Sequence, residues 1–88
     1  MMRVLNKYKD VIPVDAVYIG RPSRFGNPFV IGKDGDRDQV IAKYRDWIAT
    51  KPELIKEAKT QLKGKDLVCF CSPKSCHGDV LVVIANQN

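Results

Sequence analysis

The stretch 66–85, DLVCFCSPKSCHGDVLVVIA, limits the possible folds of this chain more than any other segment. Its residues 67–71 are all apolar, too few for a helix and typical of a buried strand. A turn at 72–75 and a polar cluster at 76–79 follow, before a second apolar run begins. In open α/β sheets, ligands bind where such turns leave the carboxyl ends of the strands. The order of these features therefore predicts a buried strand with a functional site at its carboxyl end.

Two further strands are expected in the first part of the chain. Residues 3–8 alternate between the two faces of an extended segment, which favours a first strand. Pro13 interrupts this segment, because proline lacks the N–H that a sheet ladder needs. The apolar run 16–19 predicts a second, buried strand that ends at Gly20.

After these strands, apolar residues recur at three- and four-residue steps, which predicts two amphipathic helices. The first spans residues 37–49 and begins after Asp36, a favourable N-cap residue. The second begins at Thr50, because Thr50 and Glu53 have the spacing of a capping box with a proline in the first turn. It ends near Gly64, where a left-handed C-terminal cap is expected.

The apolar run 80–85 is compatible with a strand or with a helix. Its β-branched residues favour a strand, whereas its spacing also forms a helical stripe. We predict a helix, because Ser75 can cap it and because Asp79 would lie near the positive end of its dipole.

The order of elements is strand, strand, two helices, strand, helix, within one domain of 88 residues, 1–88. The connection from the strand at 16–19 to the strand at 67–71 passes through helices, so it should be parallel and right-handed. The predicted class is α/β, a small Rossmann-like open sheet that is mainly parallel, with about three helices.

Composition places this domain in the cytoplasm. No apolar run approaches the roughly 20 residues of a membrane span, so no membrane association is expected. The first residues lack the long apolar segment of a secretory signal. Three cysteines between positions 69 and 76 are an odd number and form a poor disulfide framework, which is typical of a reducing compartment.

The polar cluster after the last strand supplies the candidate catalytic residues. Helix N-termini lower the pKa of a thiol and attract anions, and Cys76 precedes the predicted last helix. A histidine next to that thiol and near a carboxylate is well placed for proton transfer, although a single histidine is more often a packing residue. Asp79 would orient the histidine ring or cap the helix, and Cys69 is expected to pack as a small apolar side chain. The candidates are Cys71, Cys76, His77 and Asp79.

The segment 20–28, GRPSRFGNP, leaves the neighbouring parallel strand and should lie beside the cysteine loop. Its arginines, hydroxyl, amide and aromatic ring can bind the phosphate, sugar and base of a nucleotide. It matches neither a dinucleotide-binding nor a phosphate-loop glycine motif. The alternative is a rigid surface loop with solvated arginines. The candidate ligand-binding residues are Gly20, Arg21, Ser23, Arg24, Gly26 and Asn27.

Cys69, Cys71, Cys76 and His77 are potential ligands of a zinc cofactor. Structural zinc sites usually separate paired ligands by two to four residues. Here the first pair has one intervening residue and the second pair has none. We therefore expect no cofactor and keep a zinc-stabilised interaction module as an alternative.

The formal net charge of +5 favours an anionic partner. One interpretation is an anionic small molecule resembling a nucleotide. A second is a nucleic-acid-binding module, whose affinity would fall steeply with salt. A third is a solvated lysine-rich face without a partner.

The segments VYIGRPSRFGNPFVIG, VIAKYRDWI and KDLVCFCSPKSCHGDVL resemble the family known as domain of unknown function 4326, which is common in bacteria and tailed phages. The similarity covers residues 14–85 and includes two specific signatures, GRPSxxGNPF and CxCxPxxCHGD. The second signature is also similar to an uncharacterised family with a CHR helix start, in which arginine stands where this chain has Gly78. The resemblance implies a small α/β domain with both signatures facing one pocket, in the host cytoplasm if the chain is phage-encoded. It implies no activity.

The leading hypothesis is a domain that binds a nucleotide-derived or otherwise phosphorylated ligand between the Arg21–Asn27 loop and the Cys71–Asp79 loop. If the domain is an enzyme, which the sequence leaves open, the chemistry would be nucleophilic or acid–base through a cysteine and His77.

Overall fold

The computed structural model describes residues 2–21, 23–70 and 76–87. Three short strands form a parallel sheet. They are β1 (Val4–Asn6), β2 (Val17–Tyr18) and β3 (Leu67–Cys69). The helices are α1 (Arg37–Ala49), α2 (Pro52–Glu57), which continues as a π-helical turn (Ala58–Leu62), and α3 (His77–Ala85). The α/β class, the parallel sheet and the three helices are confirmed. The Rossmann-like topology stays a prediction.

The strand order is β1-β3-β2, and both outer strands run parallel to β3. Leu67 of β3 pairs with Val4 on one side and with Val17 on the other. Each residue of β3 is at least 96% buried, as expected for a strand covered on both faces. Because all three strands point the same way, the segments that follow them leave one edge of the sheet.

Helix α1 begins as the sequence predicts. Asp36 is extended, its side chain accepts a hydrogen bond from the Gln39 backbone N–H, and the Gln39 side chain accepts one from the Asp36 N–H. This reciprocal capping box satisfies backbone donors that the first turn leaves without helical partners. The bounds of α1 equal the predicted 37–49.

The predicted capping box at Thr50 is wrong. Thr50 is the C-cap of α1, and its hydroxyl donates to the Trp47 carbonyl at 2.6 Å. The backbone of Thr50, with φ −88° and ψ 1°, lies outside the extended region that an N-cap needs. Helix α2 instead begins at Pro52, and no side chain of the described residues caps it. The prediction for Gly64 is confirmed, since its φ of +80° is left-handed.

Helix α3 confirms the helical interpretation of 80–85 and begins three residues earlier, at His77. Its N-cap is Cys76 and not Ser75, which lies outside the described residues. The predicted position of Asp79 in the first turn is confirmed. Cys76 can act as the cap because its sulfur accepts a backbone hydrogen bond, as a serine oxygen would.

The core lies between the sheet and the helices. The largest of the fully buried side chains come from β3, from the residue after β2 and from every helical segment except α2: Tyr44, Ile19, Ile48, Leu62, Leu67 and Leu81. In the part of the chain that the structure describes, no helix has the length and apolar character to cross a membrane.

Candidate functional site

A cleft of about 470 Å³ opens at the edge of the sheet where the strands end. Its polar and sulfur-bearing walls come from the loop after β2, from the first residue of α1, from the end of β3 and from the start of α3. Its apolar walls come from the strand ends, from the segment 29–31 and from α1. The lining residues are Tyr18, Gly20, Arg21, Asn27, Phe29, Val30, Ile31, Arg37, Val40, Ile41, Cys69, Phe70, Cys76 and His77.

Cys76 is the N-cap residue of α3 and lines the cleft. The Gly78 backbone N–H donates to the sulfur of Cys76 at 3.3 Å, and the Cys76 N–H donates to the Asp79 carboxylate at 3.3 Å. The sulfur of Cys76 thus lies at the N-terminus of α3, where backbone amide donors can stabilise a negative charge.

The sulfur of Cys69 lies 3.3 Å from the sulfur of Cys76, and the two are not joined by a disulfide bond. Both side chains are at least 96% buried, yet both line the cleft. Cys69 packs in the core, as predicted, but it also contacts the candidate nucleophile. Cys71, a candidate catalytic residue, lies outside the described residues.

His77 is 92% buried at the base of the cleft. Its Nε2 lies 2.8 Å from the Ile19 carbonyl oxygen. A carbonyl only accepts hydrogen bonds, so Nε2 carries the proton and Nδ1 is the basic nitrogen of the neutral ring. The ring also packs edge-on against Tyr44, with centroids 5.1 Å apart.

The pKa of His77 is held below its ordinary value of 6.5. The main cause is burial, which disfavours the charged ring. The positive charge of Arg21 lowers the pKa further, whereas the Ile19 carbonyl and the carboxylate of Asp79 raise it. His77 is therefore neutral at pH 7 and can accept a proton.

Asp79 was predicted either to orient the histidine ring or to cap the helix. Its carboxylate accepts a hydrogen bond from the Cys76 N–H, which completes a capping box at the start of α3. The side chain is exposed, and Asp79 is not among the described residues that line the cleft. The structure thus places it in the capping role.

Tyr44 holds the loop after β2 against α1. It is fully buried, and its hydroxyl donates to the Phe25 carbonyl at 2.8 Å. Burial raises the pKa of Tyr44, and the nearby Cys76 raises it further. The tyrosine therefore stays protonated at neutral pH and keeps this hydrogen bond.

The candidate residues of the loop after β2 fall into two groups. The first group lines the cleft and consists of Gly20, Arg21 and Asn27. Arg21 is exposed and faces the histidine, whose pKa it lowers. Asn27 also holds the loop, because its amide donates to the Val40 carbonyl at 3.2 Å and its oxygen accepts from the Phe29 N–H at 2.9 Å.

The second group, Ser23, Arg24 and Gly26, builds the loop and is absent from the described lining of the cleft. The Ser23 hydroxyl accepts a hydrogen bond from the Phe25 N–H at 3.0 Å. Arg24 makes an ion pair with Glu57 at 2.7 Å. A Cβ at Gly26 would lie 3.0 Å from Cγ of Arg21, so the absence of a side chain lets the loop close on itself.

Sequence reasoning missed the apolar wall of the cleft, which includes Tyr18, Phe29, Val40 and Phe70. The aromatic ring that it placed in the site, Phe25, is 95% buried in the core. A signal was present at Phe70, an aromatic residue next to the end of a buried strand. Successive side chains of a strand point to opposite faces of the sheet, so the Phe70 ring is expected on the face opposite to that of Cys69.

Within the described ranges, no group of three or more histidine, cysteine, aspartate or glutamate side chains is placed to hold a metal ion. One nitrogen of His77 is already used by the Ile19 carbonyl. The zinc hypothesis stays a prediction.

These features define a small α/β domain with a ligand-sized cleft at the carboxyl edge of a parallel sheet. The chain belongs to the family described as Domain of unknown function (DUF4326), whose model matches residues 3–87. This confirms the resemblance seen in the two signatures. The chain is also 37% identical, over 91 aligned positions, to the "Uncharacterized 12.4 kDa protein in nrdA-td intergenic region" of Enterobacteria phage T4. That similarity covers 99% of this chain and 80% of the phage protein. No solved structure matches the chain.

Proposed function

We propose that this domain binds a nucleotide-derived or otherwise phosphorylated small molecule in the cleft, in the cytoplasm. The observation that carries the proposal is the meeting of a cationic wall and an aromatic wall at the carboxyl edge of the sheet. Ligands of open α/β sheets bind at this edge. The cleft volume of about 470 Å³ falls within the range of small-molecule sites.

The cationic wall consists of Arg21 and Arg37, both of which line the cleft. A guanidinium group presents five donors in a planar fork that matches the oxygens of a phosphate. Arg21 is exposed at the mouth of the cleft, so its head group is accessible to an incoming anion. We assign Arg21 the main contact with the phosphate.

The apolar wall would hold the base. Tyr18, Phe29 and Phe70 contribute aromatic rings to the lining, and Val40 and Ile41 contribute apolar side chains from α1. Aromatic rings stack on a heterocycle and bury a large apolar area. A phosphate at one end of the cleft and a base at the other would use both walls.

If the bound ligand is converted, the proton acceptor would be Nδ1 of His77 and the nucleophile would be the sulfur of Cys76. Both residues line the cleft; the Ile19 carbonyl fixes the tautomer of His77, and the Gly78 N–H donates to the sulfur of Cys76. A neutral imidazole can serve in acid–base catalysis, and a thiol at a helix N-terminus can serve in nucleophilic catalysis.

Thermal unfolding with added ligands tests the binding function. The panel contains nucleoside monophosphates, diphosphates and triphosphates, sugar phosphates and inorganic phosphate. At least one of these compounds should raise Tm with increasing concentration. At a hundredfold excess over Kd, it should stabilise the folded state by about 2.7 kcal/mol. Arg21→Gln should abolish the shift. Arg24→Gln is the matched control, because Arg24 is paired with Glu57 and should leave the shift unchanged. A panel without any stabilising compound at millimolar concentration, or equal effects of the two variants, would refute the proposal.

A further inference from the structure

Three aromatic rings away from Cys76 and His77 form a continuous strip, Tyr8–Phe70–Tyr18. The centroids of Tyr8 and Phe70 are 5.3 Å apart with a tilt of 33°, and those of Phe70 and Tyr18 are 5.7 Å apart in an edge-on arrangement. The rings come from three segments that are far apart in the sequence and that meet where the strands end.

Folding leaves much of this strip in contact with solvent. Tyr8 is 82% exposed and Phe70 is 44% exposed. Large exposed apolar groups that lie together are typical of an interaction surface, whereas isolated ones are common everywhere on proteins.

Asn6 fixes the strip. It is 95% buried, its amide donates to the Phe70 carbonyl at 3.1 Å, and its oxygen accepts from the N–H groups of Tyr8 and Lys9 at 2.9 and 3.2 Å. The turn that carries Tyr8 is thus tied to the end of β3. Because the backbone is held before a partner arrives, binding costs little ordering entropy.

A cation lies over the strip. The Nζ of Lys7 is 5.5 Å from the Tyr18 ring centroid and 5.8 Å from the Phe70 centroid. Tyr18 and Phe70 also line the cleft, and the Tyr18 hydroxyl donates to the Arg21 carbonyl at 2.8 Å. The strip therefore continues into the cleft, with Lys7 over Phe70 and Tyr18, and with the Arg21 backbone bonded to Tyr18.

We propose that the strip binds single-stranded nucleic acid, and that the nucleotide in the cleft is the end of a strand or a nucleotide turned out of one. This inference rests on the proposed function and specifies its ligand. A neighbouring base would stack on Tyr8 and Phe70, while Lys7 and Arg21 would bind the flanking phosphates. Rings interleaved with cations suit a single strand, because every base has a π face and every linkage a negative charge. The net charge of +5 fits such a partner.

Two binding measurements on the full chain test this. Fluorescence anisotropy follows a labelled ten-nucleotide single strand, of DNA and of RNA, and calorimetry follows mononucleotides. We expect the strand to bind more tightly than any mononucleotide. Tyr8→Ala should weaken binding of the strand about five- to a hundredfold, as alanine substitution at stacking sites does, and leave mononucleotide binding unchanged. Tyr8→Phe keeps the ring and should retain affinity for the strand.

The salt dependence of strand binding provides a second readout. Lys7→Gln should reduce the slope of log K against log salt by about 0.7, the amount expected for one lost phosphate contact with a single strand. Lys63→Gln is the matched control, since Lys63 is exposed and lies before the amino-terminal end of β3, away from the strip.

Three results would each overturn the inference: unchanged strand binding by Tyr8→Ala, equally tight binding of duplex DNA, or tighter binding of an acidic peptide. Mononucleotide binding without any gain for the strand would overturn it and leave the proposed function standing. Strand binding that depends on Tyr8 but has no mononucleotide counterpart would support the strip and reject the cleft as a small-molecule site.

Discussion

The hydrogen bond from Tyr44 to the Phe25 carbonyl links α1 to the loop that carries Arg21, and we expect Tyr44→Phe to destabilise the domain measurably. The substitution removes one oxygen from a side chain with no solvent-accessible surface and leaves the ring in place. The hydrogen bond is 2.8 Å long, and Phe25 is 95% buried, so water cannot readily replace the hydroxyl.

The expected loss follows from leaving a buried carbonyl without its partner, which costs about 1–3 kcal/mol. For a domain of this size, each kcal/mol lowers Tm by about 4–8 °C. Urea unfolding followed by circular dichroism should therefore show a lower midpoint with an unchanged m value, since the surface exposed on unfolding stays the same.

Tyr8→Phe is the matched control, because it makes the same chemical change at a ring that is 82% exposed. Its stability should lie within about 0.5 kcal/mol of that of the original chain. If Tyr44→Phe were equally neutral, or if both variants lost the same stability, the hydrogen bond would not hold the loop and our reasoning about the cleft wall would be wrong.

Three further predictions concern stability. His77 has a pKa below 6.5 in the folded state, so the unfolded chain binds the proton first as the pH falls. The free energy of unfolding should therefore decrease below about pH 6.5, by at most about 1.4 kcal/mol per pH unit. Urea unfolding of His77→Gln should lack this decrease, and identical pH profiles of the two proteins would contradict the prediction. Asp36→Ala removes the hydrogen bond to the Gln39 N–H and should cost about 1 kcal/mol in the same assay, whereas no loss would mean that the capping box is not formed. Gly78→Ala should destabilise the fold although alanine favours helices, because its Cβ would lie 2.9 Å from Cδ1 of Ile19; a rise in Tm would show that the packing yields.

Much of the fold could be predicted because it depends on neighbours along the chain. The spacing of apolar residues gave α1 its bounds, and the short side chain of Asp36 gave its start. The left-handed backbone at Gly64 follows from the absence of a Cβ. Where two local signals competed, the prediction failed, as at Thr50, which caps the end of one helix two residues before the next begins.

Which residues line the cleft depends on contacts between segments that are distant in the sequence. The amino-acid sequence placed Arg21 and Arg24 in one loop, but only the packing of that loop against α2 directs Arg24 to Glu57 while Arg21 lines the cleft. The sequence likewise supplied a histidine beside a cysteine, whereas the lowered pKa of His77 comes from its burial in the folded chain, and the proton on Nε2 is fixed by the Ile19 carbonyl.

The aromatic strip is the clearest case of what tertiary structure decides. Residues 8, 18 and 70 have no relation in sequence, and they meet because β1 and β2 both pair with β3 in a parallel register. Local periodicity fixes which face of a strand or helix a side chain occupies. The neighbour that it meets there depends on strand order and register, which are set by the packing of the whole chain.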